Sequence, residues 1–123
     1  MQHNQRVALA AAWLFVAGGI GPAAAADAEH GKVLFQGCIA CHNERPDALG
    51  PSLRGVHNRK AAALDDFRYS NAMMRANIVW NDENLHAYIA DPQAKVKGNR
   101  MPFGGLTSAK DVDDIVAYLK GYK

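Results

Sequence analysis

The chain has 123 residues, 49% of them apolar, two cysteines, and 14 Lys and Arg against 12 Asp and Glu. No stretch is strongly basic, which argues against a nucleic-acid partner. Nothing repeats, and the length bounds the fold to one small domain.

The first segment reads as a leader. A polar start containing Arg6 runs into an uncharged apolar stretch, Val7 to Ile20. Gly21-Pro22 breaks it, and Ala24-Ala25-Ala26 offers the small side chains that a signal peptidase accepts. Residues 1–26 are therefore expected to be a secretory signal peptide cut after Ala26, and 27–123 a periplasmic domain. The uncharged run from Val7 to Ala26 is long enough to span a bilayer. Its glycines, proline and alanines make the second half a poor apolar helix, so no stable membrane association is expected. Losing Arg6 leaves the mature chain near neutral. Export with two cysteines ordinarily predicts a disulfide, but His42 directly follows the second cysteine.

Four helices are expected in chain order. The first covers Ala28 to Cys38, with Val33, Leu34 and Phe35 on an apolar side. Asn43 to Phe67 has neither strand alternation nor a sustained helical period. A loop that long is unusual in so small a domain unless it packs on something other than protein. Ser70 to Asn77 adds a short helical turn. Asn81 caps the next helix, which carries Asp82 and Glu83 in its first turn and Leu85, Tyr88 and Ile89 on one face before Pro92 ends it. In the last, Ser108 with Asp111 resembles a capping box. Val112, Ile115, Val116 and Leu119 recur at helical spacing there, and Gly121 marks the stop.

Cys38-Ile39-Ala40-Cys41-His42 carries the chemistry. Two thiols at i and i+3 share one side of a helical turn and can form thioethers with the two vinyl groups of a haem, and the adjacent histidine then lies under the iron. A dithiol redox motif needs a βαβ context, which is absent. A structural zinc site needs four ligands, and no second cysteine pair exists. The missing core is then the cofactor, one haem c. Candidates for the sixth ligand are Met73, Met74, Met101, His57 and His86. Met101 stands out because it lies in the aperiodic segment Gly98 to Gly105, where Pro102 and the glycines allow close approach to a flat ring. His86 is expected to face solvent.

With Gly31 and Phe35 before the motif and Leu49-Gly50-Pro51-Ser52-Leu53-Arg54-Gly55 after it, the chain resembles class I cytochromes c. Arg59-Lys60, Phe67-Arg68-Tyr69, Ile78-Val79-Trp80, Tyr88, Met101 and Tyr118-Leu119 continue the likeness in order. The resemblance implies an all-α fold, three main helices plus a short one, wrapped with long loops around a covalently bound haem. It also implies site roles. The Pro51 carbonyl accepts from the His42 ring, Tyr69 and Trp80 hydrogen-bond an inner propionate, and Arg59 offsets propionate charge. Tyr88 lies beside the Met101 sulfur, and Gly31, Phe35 and Tyr118 form the crossing of the first and last helices. Asn99 departs from the pattern, since relatives usually carry a threonine there that contacts a propionate.

Two strong axial ligands leave no open coordination position, so the expected function is single-electron shuttling between redox enzymes, without catalysis. The chain is expected to be a monomer whose redox partners dock transiently at the haem edge near Lys95, Lys97 and Arg100. Asp111, Asp113 and Asp114 lie on the far side and complete a steering dipole. Competing readings are a haem protein with an open sixth position, a fixed subunit of a dehydrogenase or oxidase, and a dithiol redox protein.

Overall fold

The computed structural model describes residues 11–19 and 25–123, so much of the expected leader lies outside the described residues. Trp13, Leu14, Phe15 and Val16 are almost fully exposed, without helical structure. No helix among the described residues is long and apolar enough to cross a membrane.

The described residues form five helices: α1 Ala28–Ile39, α2 Asn71–Arg75, α3 Asp82–Ala90, α4 Pro92–Lys95 and α5 Ala109–Lys120. Local chemistry explains each start. Asp27 caps α1 by accepting from the Glu29 and His30 amides, and Ser70, Asn81 and Ser108 do the same for α2, α3 and α5. The expected capping box at α5 is only half made. Ser108 Oγ accepts from the Asp111 amide at 3.3 Å, while the Asp111 carboxylate turns toward His30, 3.9 Å away. Pro92 ends α3 as expected but also opens α4. A proline lacks only an N–H that a first helical turn leaves unused anyway, and Asp91 caps the new turn.

The packing centre is the crossing of α1 and α5. Gly31 permits it, because a Cβ there would lie 2.0 Å from the Asp114 carbonyl oxygen. Beside it Phe35, 1% exposed, meets the rings of Tyr118 and Tyr122 at centroid distances of 5.1 and 4.9 Å. Val112, Ile115, Val116 and Leu119 of α5 are buried, and α3 adds Leu85 and Tyr88. His86 does not simply face solvent. Its ring donates to the Asp82 carbonyl at 2.6 Å and reaches the Asp113 carboxylate at 2.7 Å, tying α3 to α5.

The expected loop between α1 and α2 is present and pinned at intervals. Gly55 N–H donates to the Tyr122 carbonyl at 2.7 Å, and the Arg54 guanidinium donates to the Lys123 carbonyl at 2.8 Å. Further along, Lys60 and Val79 form an isolated antiparallel bridge. Asn58 donates to Trp80 and Trp80 to Arg59 around it.

Candidate functional site

The last turn of α1 and its exit carry the two thiols and the histidine. Cys41 and His42 both donate backbone N–H groups to the Cys38 carbonyl, at 3.1 and 3.0 Å, so the turn continues through the motif. Both cysteines are free and half-buried. Burial, reinforced by the neighbouring Cys41, pushes the Cys38 thiol up from its ordinary range. The chain then doubles back, and Gly50 N–H donates to the Cys41 carbonyl at 3.0 Å.

That return positions His42. Its ring Nδ1–H donates to the Pro51 carbonyl at 2.7 Å, and a carbonyl can only accept, so the tautomer is set. Nε2 is left as the nitrogen with a lone pair to offer a metal. The ring is 8% exposed, and burial lowers its basicity despite the Pro51 bond. Gly50 presses against it: a Cβ there would come within 2.5 Å of Cε1 and 2.6 Å of Nδ1. From sequence Gly50 is only part of the Leu49-to-Gly55 likeness, and its contact with the ring was missed.

Met101 is half-buried and packs against the same apolar cluster as Cys38, Leu53, Met73, Ile78 and Leu106. Its segment is held by Asn99, which is 7% exposed. Asn99 Nδ2 donates to the Pro92 and Val96 carbonyls at 3.0 and 2.9 Å, and its Oδ1 accepts the Met101 N–H at 2.9 Å. Gln93 closes the knot, donating to the Asn99 carbonyl and accepting from the Gly98 amide. Read from sequence as a departure in the propionate network, Asn99 instead spends its hydrogen bonds on backbone.

The other expected site residues fall in two groups. Trp80 and Tyr88 are buried and meet edge-on, centroids 4.9 Å apart. Burial pushes the Tyr88 hydroxyl up to about 12. Tyr69 is half-buried, its hydroxyl accepting from the Leu64 amide at 3.3 Å and its ring edge-on to Phe67. Arg59 is half-buried too, and burial lowers its pKa. It donates to the Ser52 and Arg54 carbonyls at 2.8 and 3.0 Å.

One expectation about charge needs correction. Asp114 is not a solvated surface charge. It is fully covered, bonded to the Asp27 amide at 2.7 Å, to Lys110 at 2.7 Å and to His30 at 2.8 Å. These bonds hold its carboxyl far below the usual carboxylate range. With Lys110 neutralising it, the acidic end of the expected dipole is weaker. Arg100 remains exposed but is anchored, donating to the Arg68 carbonyl at 2.6 Å. Arg75, missed from sequence, joins Lys95 and Lys97 around a shallow recess between α2 and α4, floored by Ala72, Ala76, Ile78 and Val96.

A family model described as cytochrome c matches residues 28–123. The chain belongs to the cytochrome c family. Cytochrome c2 of Blastochloris viridis is 39% identical over 113 residues, 89% of each chain. That of Rhodoblastus acidophilus is 42% identical over 102 residues, covering 80% of this chain and 95% of its own. Among solved structures, cytochrome cH from Methylobacterium extorquens superposes with a TM-score of 0.72 at 41% identity, over 76% of this chain and 97% of that one. As a cytochrome c, the chain holds haem c covalently through Cys38 and Cys41. The residues fit that group: two free thiols one turn apart, a histidine with one uncommitted nitrogen, and an apolar lining only half covered by protein. It is a cytochrome c2-like electron carrier, not an enzyme.

Proposed function

We propose that the chain is a periplasmic, single-haem shuttle in which His42 Nε2 and Met101 Sδ would hold the haem iron. The observation that carries this reading is the His42–Pro51 hydrogen bond, 2.7 Å long. It turns one ring nitrogen into a donor to backbone and reserves the other, and a hydrogen-bonded imidazole is a stronger ligand. Met101 is the partner on the grounds that its backbone is tied down by Asn99 and its side chain lies on the same apolar cluster as Cys38.

Bound here, haem supplies an iron that alternates between two oxidation states. The chain's residues keep that change undemanding. Pro51 holds the imidazole in one orientation, Gly50 allows no slack beside it, and the Asn99 knot fixes the backbone of the sulfur ligand. Ligands that cannot move keep the same geometry in both states. Trp80 and Tyr69 are assigned to an inner propionate and Arg59 to its charge, with Tyr88 beside the sulfur. The burial of Arg59 and Tyr88 supports these roles, because both polar groups gain from a partner inside the fold.

Residues 1–26 are read as a leader removed after Ala26, supported by the exposure of Trp13 through Val16, which pack on nothing in the domain. Partners dock transiently over Lys95, Lys97 and Arg75, and the monomer then releases. The deciding experiment is an absorption spectrum of the exported ferric protein. A weak sulfur-to-iron charge-transfer band is expected, together with its loss in Met101→Ala. A ferric spectrum without that band, or one that keeps it in the variant, refutes Met101 as ligand.

A further inference from the structure

We propose that the Asp114 carboxylate is the docking site of the amino terminus that processing creates. The inference rests on the proposed cut after Ala26, which turns the Asp27 backbone N–H into an α-ammonium. That nitrogen already lies 2.7 Å from Asp114 Oδ1. The carboxylate's other oxygen is taken, since Oδ2 receives both Lys110 Nζ at 2.7 Å and His30 Nδ1 at 2.8 Å. Oδ1 is therefore held by the amide of Asp27, on an acid that is completely covered by its neighbours. Cleavage would exchange a neutral donor for a charged one at the same point, without rearranging α1 or α5.

The cost of the new charge is small for two reasons. Ala25 and Ala26 are exposed, so the space vacated by the leader is water, and the ammonium keeps part of its hydration. It does stand at the positive end of the α1 dipole. The Asp27 carboxylate already caps that end, accepting from the Glu29 and His30 amides. The charged or titratable groups around the site are thus Asp27, Glu29 and His30 on the α1 side and Lys110, Asp111 and Asp114 on α5. Before cleavage Lys110 is the one permanent cation on Asp114, and afterwards there are two, one on each oxygen.

A pH signature follows. An α-amine titrates near pH 8 in an unfolded chain. Facing Asp114 it binds its proton more tightly when folded. The added stability is then fully present below about pH 8 and is lost as pH rises through the higher folded-state value.

Amino-terminal sequencing of the exported holoprotein reads the cut. A double-mutant cycle reads the pair: holoprotein beginning at Asp27 or retaining Ala25 and Ala26, each with Asp114 intact or as Asp114→Asn, unfolded in denaturant at low salt and mildly acidic pH. The Asp27 start should be favoured about fivefold in the unfolding equilibrium, the gain when the donor to an ionised carboxylate changes from neutral to charged. That advantage should disappear in Asp114→Asn and fade in alkali. Equal stability of the two starts, or an advantage that survives Asp114→Asn, overturns the docking. A native cut elsewhere overturns it through its premise, and sequencing alone reveals that case.

Discussion

Asn99 Oδ1 accepts the backbone N–H of Met101 at 2.9 Å while its Nδ2 holds the carbonyls at both ends of α4. One buried side chain thus couples a short helix to the segment of the proposed sulfur ligand. Asn99→Ala strands the Met101 N–H and takes a second donor from the Pro92 and Val96 carbonyls, which keep their backbone partners, at a cost of about 1–3 kcal/mol. In the ferric holoprotein the charge-transfer band should weaken. Haem attachment should be unchanged. Asn99→Thr, able to restore only part of the knot, should fall between.

Gly31→Ala should loosen the helix crossing that carries the haem motif. The added Cβ would lie 2.0 Å from the Asp114 carbonyl oxygen and 3.0 Å from Tyr118 Cβ, and backbone cannot turn aside as a flexible side chain can. A loss of about 3 kcal/mol is expected from such overpacking, read as a fall in the denaturant midpoint of the holoprotein.

At Gly50 the conflict is with the proposed histidine ligand. The Cβ of Gly50→Ala would come within 2.5 Å of the His42 ring. Rotating the ring away breaks the 2.7 Å bond to Pro51. The variant should still form both thioethers, detectable by mass, yet show an altered iron spectrum and a fraction that binds external imidazole.

Acid should expose the role of Asp114. Its folded pKa is depressed, first by the Asp27 amide and then by Lys110 and His30. A depressed carboxyl contributes stability that is complete above the unfolded value of about 3.9 and is lost as pH falls toward the folded one. Wild type should therefore exceed Asp114→Asn at neutral pH, and the gap should close as acid is added below about pH 4. A gap independent of pH would show the charge to be irrelevant.

Steering can be checked kinetically. Electron transfer to an acidic partner should slow as salt rises, because attraction between charged surfaces is screened within about 10 Å at ~0.1 M salt. Lys95→Gln with Lys97→Gln should flatten that dependence. Arg100→Gln should flatten it further, since Arg100 is exposed and its bond to the neutral Arg68 carbonyl leaves its charge intact.

What the sequence determined by itself was whatever depends on neighbours along the chain. The haem motif is five consecutive residues, and the caps at Asn81 and Ser108 act within three positions. The apolar stripe of α5 is one helical period repeated, and these signals need no knowledge of the fold. The expected roles of Pro51 and Tyr88 came from the family's order of motifs, whereas Met101 stood out by its own aperiodic, glycine-rich segment. Tertiary structure alone decided the rest. Asp114 sits in a run of acids that reads as surface, and only the approach of Asp27, 87 positions away, makes it a covered anchor. His86 likewise reads as exposed until α5 brings Asp113 beside it. Burial and partner choice are properties of contacts between distant segments, set by how α1, α3 and α5 cross, and no local pattern encodes where two helices will meet.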